Sequence, residues 1–336
     1  MKVWFVTPCF FDVDSFRELR KRCLLVAQKH FPELEPGLIL VDDTGGQDPQ
    51  VEQLRQDPLI TIITPPYNLG HQGAIVFALR SLSAKIAPED YVVTLDCDGE
   101  DRPEDIPGLI SGLNARAHDL YAISLAQRTK RSETLVFSVM YFFFKAFFAC
   151  LSGVTVKSGN FAAFRGLFVH SVIFHPYFDY CYSSSLVALP LRRSQVAFPR
   201  GTRYFGKSKM NIVSLIGHGF RMLLPFSERI AIRGIIFFGA VTCTCIALIA
   251  AALISAQGSI TSLLLLESMI CLFGFLATAI SFVFFATFHQ TRAISLRNWS
   301  AQTLPEKPGL LMEIDAGNEN DYASSFKKTN VMSGIR

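Results

Sequence analysis

Hydrophobic positions in this chain follow two regimes. Up to about residue 205, short apolar runs alternate with stretches in which apolar and charged residues mix at helical spacing. Val3 to Thr7, Leu38 to Val41, Leu59 to Thr64 and Tyr91 to Leu95 read as strands buried on both faces. Ser15 to Phe31 and Gly73 to Ser83 carry the periodicity of helices packed on one side. The alternation predicts an α/β domain with a mostly parallel sheet over residues 1–208.

The second regime begins at Gly234. Gly234 to Ala256 is a run of 23 residues without a charge, and Ile260 to Phe288 is a second run with Glu267 as its one charge. At about 1.5 Å per residue each can cross a hydrocarbon core of about 30 Å. Gln257, Gly258 and Ser259 between them read as a turn. The pattern predicts an antiparallel membrane hairpin within residues 232–290, with spans 234–256 and 260–288. Arg221, Arg229 and Arg233 precede it, Arg292, Arg297 and Lys307 follow it, and the turn has no Lys or Arg. The positive-inside rule therefore puts both termini in the cytoplasm.

Two further stretches point to the membrane surface. Leu135 to Leu151 has Lys145 as its one charge and reads as an interfacial helix. Residues 209–231 read as a juxtamembrane amphipathic helix, with Ile212, Leu215, Ile216, Phe220, Leu223 and Leu224 on roughly one side. Residues 291–336 form a polar tail. Gly239 with Cys243, and Gly274 with Thr278, place small residues four apart, which permits close helix packing and homo-oligomers.

Composition agrees with this division. Half of the 336 residues are hydrophobic and 18% are charged, against about 25% in soluble domains. A disordered chain and a highly charged nucleic-acid tail are excluded. The net charge of +4 suits a membrane surface as well as an anionic ligand. Met1 to Phe11 reads as a first strand and not a signal sequence. Eight Cys without a C-x-x-C pair give no zinc or disulfide framework, as expected for a reducing cytoplasm.

Chemistry enters at the strand ends. Asp12 follows the first strand, Asp42 and Asp43 the second, and Asp96 and Asp98 the fourth. Ligands of parallel α/β sheets bind beyond those ends. Asp96, Asp98 and Glu100 occupy alternate positions, so an extended backbone would point all three carboxylates one way. Such oxygen donors suit Mg²⁺ or Mn²⁺, which commonly take one or two carboxylates plus substrate phosphates.

Five segments in order resemble the family-2 glycosyltransferases of the GT-A fold, in the polyprenyl-phosphate branch. Thr7-Pro8-Cys9-Phe10-Phe11-Asp12 is similar to P-x-Y-N-E, and Val41-Asp42-Asp43-Thr44-Gly45-Gly46 to V-D-D-G-S. Asn68-Leu69-Gly70-His71-Gln72-Gly73-Ala74 is similar to N-x-G-x-G-x-A. Asp96 to Glu104 resembles D-A-D-L-Q-D-P-P-E, and Gly206-Lys207-Ser208-Lys209 resembles G-x-S-K. The resemblance implies a Rossmann-like catalytic domain. It would move a sugar from a UDP- or GDP-linked donor to a polyprenyl phosphate with inversion, at the cytoplasmic face of a bacterial inner membrane.

It also implies residue roles. Asp96, Asp98 and Glu100 would hold the metal. Pro8, Asp12, Asp42, Asp43, Asn68, Gly70, Gly73 and Asp96 would contact the nucleotide sugar. Arg128, Arg131, Arg200, Arg203, Lys207, Ser208 and Lys209 would hold phosphates, and Gly201 and Gly206 would let the backbone approach them. Asp96, Asp98 and Arg128 are the expected catalytic groups. No nucleic-acid partner is expected.

Two segments depart from the pattern. Where an acceptor-side base is usual, the chain reads Tyr180-Cys181-Tyr182-Ser183-Ser184-Ser185-Leu186, leaving Asp179 as the fallback. Where D-x-x-S-G-F is usual, it reads Lys157-Ser158-Gly159-Asn160-Phe161. A phosphate acceptor, with a second pKa near about 6, attacks without a base, whereas a hydroxyl acceptor needs one. A transferase for a hydroxyl acceptor and a non-catalytic scaffold are the alternative readings.

Overall fold

A computed structural model of the chain describes residues 1–128, 135–155, 158–206, 212–254 and 262–280. The chain begins with β1 (Lys2–Cys9), α1 (Val13–His30) and β2 (Glu35–Asp42). A short α2 (Pro49–Glu52), β3 (Ile60–Ile63), α3 (Gly70–Ser81) and β4 (Tyr91–Thr94) follow. Then come α4 (Ile106–Asn114), β5 (Ile123–Arg128), α5 (Leu135–Ser152) and β6 (Ser158–Arg165). The domain closes with α6 (Gly166–His170), α7 (Tyr182–Ala188) and β7 (Arg193–Phe198). Beyond it lie α8 (Ile212–Leu223), α9 (Ser227–Ile254) and α10 (Ser262–Ile280).

The strands form one seven-stranded sheet in the order β3-β2-β1-β4-β6-β5-β7. Pairings β1/β2, β1/β4, β2/β3 and β5/β7 are parallel, and β6 runs antiparallel to both of its neighbours. The expected mostly parallel α/β sheet is present. Successive strand residues feed opposite faces. Trp4 and Val6 join Ile39, Val41 and Ile75 under α3 and α7, while Val3 and Phe5 join Leu38 and Leu40 under α1 and α4. Both faces are covered, which is why the strands read as continuous apolar runs.

Parallel pairing brings the strand ends to one edge. Cys9 lies opposite Asp42, and Val6 opposite Thr94. Because β6 is antiparallel, its start, not its end, reaches the same edge. Asn160 accepts a hydrogen bond from Thr94 Oγ1 on its carbonyl at 2.6 Å. Arg128 closes β5 opposite Phe198, the last residue of β7.

The far edge is fixed by Asp90, which is 2% exposed. Its carboxylate accepts from Lys2 N at 2.7 Å, Trp4 Nε1 at 2.9 Å and Ala87 N at 3.0 Å. Asp90→Ala orphans these donors, and each buried orphan costs about 1–3 kcal/mol. We expect a loss of at least about 3 kcal/mol, read as a lower thermal midpoint of the full chain in detergent.

Among the described residues, two helical stretches are long and apolar enough to cross a membrane by length and composition, Leu215–Leu248 and Ser262–Ile280. The first starts ahead of the expected span, because α8 and α9 are linked only by a 3-10 turn at Leu224–Phe226. α9 and α10 pack antiparallel. A Cβ on Gly234 would lie 2.3 Å from Thr278, and one on Gly274 would lie 2.6 Å from Phe238. Gly274 and Thr278 thus serve contact within the chain. The expected turn 257–259, the end of the second span and the tail 291–336 lie outside the described residues.

α5 forms where an apolar helix was expected, and it packs on the domain. Phe148 is buried and meets Phe226 edge-on at 5.7 Å, while Phe147 is exposed. On α8, Leu215, Ile216 and Phe220 are exposed, but Leu223 joins the domain core. The apolar side read from the sequence is therefore divided between domain and exterior.

Candidate active site

The loop after β4 is the centre of the edge. An extended backbone was expected there, and the structure differs. The strand ends at Thr94 and Gly99 turns the chain at φ +94°. Two side chains fix the turn. Asp101 Oδ2 accepts from Asp96 N at 3.0 Å, and Asp98 Oδ1 accepts from Glu100 N at 2.9 Å. The three alternate carboxylates therefore do not form an extended row, yet they share arginines: Asp96 and Glu100 lie 3.8 and 3.7 Å from Arg128, and Asp98 and Glu100 lie 2.8 and 3.1 Å from Arg203.

Asp96 Oδ1 accepts from His71 Nε2 at 2.6 Å and from Asn160 Nδ2 at 3.2 Å. Its Oδ2 lies 3.8 Å from Arg128. Burial opposes its charge, but His71, Arg128 and Asn160 outweigh that and hold its pKa well below the usual range. Asp98 pairs with Arg203 at 2.8 Å. Burial, then the neighbouring Asp96, pushes its pKa up to about 6. Asp101 is 2% exposed and pairs with Arg128 at 2.8 Å, yet burial and Asp96 raise it to about 7.

Glu100 is enclosed by arginines. It pairs with Arg200, with Arg203 Nε at 3.1 Å and with Arg128 at 3.7 Å. The segment after β7 also clasps this loop through its backbone. Gly201 N donates to Glu100 O at 2.9 Å, and Tyr204 N donates to Asp98 O at 2.8 Å. A Cβ at 201 would lie 2.2 Å from Gly99 O. Gly201 thus permits a close approach to the acidic loop itself, where an approach to phosphate was expected.

The nucleotide-side residues divide into two groups. Asp12 is half-buried at the start of α1, and its side chain makes no capping bond. Pro8 is buried in β1. Asp42 and Asp43 are buried and shape loops. Asp42 accepts from Thr44 N at 3.2 Å and from Thr44 Oγ1 at 2.5 Å. Asp43 accepts from Leu69 N at 2.7 Å, and burial raises its pKa. Asn68 accepts from Gly70 N at 2.7 Å, Gly70 has φ +73°, and Gly73 lies in the first turn of α3. Together these residues fix where α3 begins.

Asp179 is placed elsewhere. It pairs with Arg80 at 2.5 Å, near the far end of α3. Ten residues of helix separate Arg80 from Gly70, about 15 Å. In its stead α7 stands beside the site. Tyr182 shares a 2.9 Å hydrogen bond with Thr94 Oγ1, and Ser183 N donates to Gln72 at 3.1 Å. Residues 181–185 are buried and contain no acid. Arg131, Lys157, Lys207, Ser208 and Lys209 lie outside the described residues.

The sequence reading missed His71, Asn160 and Asp101. His71 lay inside a quoted motif as a variable position, and Asn160 lay inside a segment set aside as a departure. Their signal was position alone, one residue past a helix-opening Gly and two before the β4 partner Ala162.

The arrangement can hold a divalent cation bound together with a diphosphate. Among the described residues no three His, Cys, Asp or Glu side chains form a cation site on their own. A nucleotide-site Mg²⁺ needs only one or two carboxylates, the rest being phosphate and water. Asp96 and Asp98 supply hard oxygens, and the raised pKa of Asp98 marks a carboxylate whose charge is under-compensated.

Carboxylates and arginines gather beyond the carboxyl ends of the parallel strands, the edge at which α/β sheets of this kind bind their ligands. Residues 6–169, just under half of the chain, match the family model described as Glycosyl transferase family 2.

An undecaprenyl-phosphate 4-deoxy-4-formamido-L-arabinose transferase of Proteus mirabilis (strain HI4320) is 30% identical over 138 residues. That match covers 40% of this chain and 39% of the relative. Among solved structures, S. aureus TarS 1–349 in complex with UDP is similar at TM-score 0.40 and 16% identity, covering 69% of this chain and 65% of that one. A 4-diphosphocytidyl-2C-methyl-D-erythritol synthase is similar at TM-score 0.38 and 12% identity, covering 64% of this chain and 99% of that one.

Proposed function

We propose that the protein transfers a sugar from a nucleotide sugar to a polyprenyl phosphate, with inversion, at the cytoplasmic face of a bacterial inner membrane. The observation that carries this is the meeting of Asp96, Asp98 and Glu100 with Arg128, Arg200 and Arg203 at one sheet edge. The two long apolar helices, the match to the Glycosyl transferase family 2 model and the activity named for the Proteus relative support it.

In this reading the acceptor phosphate oxygen forms a bond to the anomeric carbon while the bond from that carbon to the diphosphate oxygen breaks. The nucleoside diphosphate leaves with the bonding electron pair. Asp96 and Asp98 would hold Mg²⁺ or Mn²⁺, which would supply Lewis-acid stabilisation of the leaving diphosphate. Arg128, Arg200 and Arg203 exchange carboxylate partners for phosphate oxygens and stabilise the same charge. Asp12, at the start of α1, would contact the nucleoside. The acid-free segment at residues 181–185 suits a nucleophile that is already an anion at neutral pH.

Membranes containing the protein are to be incubated with several UDP- and GDP-sugars and the lipid fraction analysed by mass spectrometry. A sugar joined to lipid through an alkali-labile phosphodiester is expected. An alkali-stable glycoside would assign a hydroxyl acceptor instead. Nucleotide-sugar binding with no product on any lipid would assign a non-catalytic role.

A further inference from the structure

Asp96 is held in an uneven way. Both close donors, His71 Nε2 and Asn160 Nδ2, lie on Oδ1, and they come from different elements, α3 and β6. Among the described residues, Oδ2 has only Arg128, at 3.8 Å. Each donor is in turn fixed by its own support. Asp43 and Asn68 bind the amides of Leu69 and Gly70, the two residues before His71. Gln72, the residue after it, donates to Ser183 Oγ at 2.9 Å and accepts from Ser183 N and from Cys181 Sγ. The first turn of α3 is thus tied down on both sides of His71. On β6, the Asn160 carbonyl takes Thr94 Oγ1, which also pairs with Tyr182.

We propose that His71 and Asn160 are positioning residues that lock the Asp96 carboxylate with Oδ2 turned toward the cation and diphosphate. An unrestrained Asp rotates about its terminal torsion, which is broad. Two donors on one oxygen remove that freedom and leave the second oxygen available as a ligand. An amide at 160 also meets Asp96 with an N–H, where a carboxylate would set two like charges about 3 Å apart. This assigns to the N-x-G-x-G-x-A segment a role in shaping the acidic loop through His71. The inference rests on the cation reading in the proposed function, with Asp96 as a ligand.

The test is Mn²⁺ affinity of the full chain in detergent, measured by electron paramagnetic resonance with UDP present. Loss of a group that orients a metal ligand costs about 10–100-fold in metal affinity. His71→Leu and Asn160→Ala should each weaken Mn²⁺ within that range. His71→Gln, whose amide nitrogen reaches the place of Nε2, should recover most of the loss. In an Asp96→Ala background neither change should weaken Mn²⁺ further, because both act through that carboxylate. Wild-type affinity in His71→Leu and Asn160→Ala overturns the proposal. So does a loss that persists undiminished when Asp96 is absent. Wild-type protein that binds no Mn²⁺ overturns the cation reading itself. Mn²⁺ binding without sugar transfer leaves this inference standing and removes the proposed activity.

Discussion

Asp98→Asn is expected to lower sugar transfer to membrane lipid by about 10³-fold while leaving the fold intact. The substitution keeps the shape of the side chain and the oxygen that accepts from Glu100 N at 2.9 Å. What it removes is charge. Asp98 is 9% exposed and stands beside Asp96 and Glu100, and burial with that repulsion already raises its pKa to about 6. The folded protein therefore holds this charge against a penalty that Arg203, at 2.8 Å, offsets only in part. An Asn at this position relieves the penalty, so thermal stability should stay level or rise. Activity and stability then move apart, which a folding defect would not produce. Transfer of radiolabelled sugar and the thermal midpoint, measured on the same preparation, check both halves. Full transfer activity in the variant would remove Asp98 from the catalytic groups.

The sequence made the fold legible where the physics was local and repeated. β1, β2 and β4 are mostly buried and β3, at the sheet edge, is partly buried, so each appeared as a run of apolar residues bounded by polar ones, and α1 and α3 alternated with them. β5, β6 and β7 were not read. β6 follows α5 directly and enters the sheet antiparallel, a choice made by tertiary pairing with β4 and β5 that no local pattern encodes. β7, at the sheet edge, has an alternating half-buried pattern with no buried residue.

The site was legible in its residue types and not in its geometry. Acids at strand ends follow from the topology of parallel sheets, so Asp96 and Asp98 stood out. Their partners come from residue 71, residue 128, residue 160 and residue 203, which the sheet order gathers from far along the chain. The assumption that the acidic loop stays extended failed on one glycine, because Gly99 takes a left-handed φ that turns the chain between Asp98 and Glu100. Asp179 failed for a related reason, since α3 carries its partner Arg80 away from the strand ends.

Glu100→Gln separates two roles for that residue, and the expected results are opposite in sign. As the centre of an arginine cluster, Glu100 neutralises Arg200, Arg203 and, less closely, Arg128, with its side chain 13% exposed. Removing one partner of a buried ionic group costs on the order of 3 kcal/mol, because the remaining charges stay buried without compensation. The thermal midpoint should fall by several degrees. The same three guanidinium groups then meet a diphosphate without having to leave a carboxylate, so UDP should bind about tenfold more tightly, an effect that weakens as salt is raised. Mn²⁺ affinity should stay within about twofold of wild type, because Asp96 and Asp98 are untouched. A cation ligand at this position would behave otherwise. Its loss would weaken Mn²⁺ to the extent seen in Asp98→Asn and weaken UDP with it, since cation and diphosphate share a coordination shell. Calorimetry with UDP and resonance with Mn²⁺ on one variant therefore decide the matter. Tighter UDP with unchanged Mn²⁺ makes Glu100 the counter-charge that keeps the arginines gathered until a diphosphate arrives, and weakened Mn²⁺ returns it to the metal.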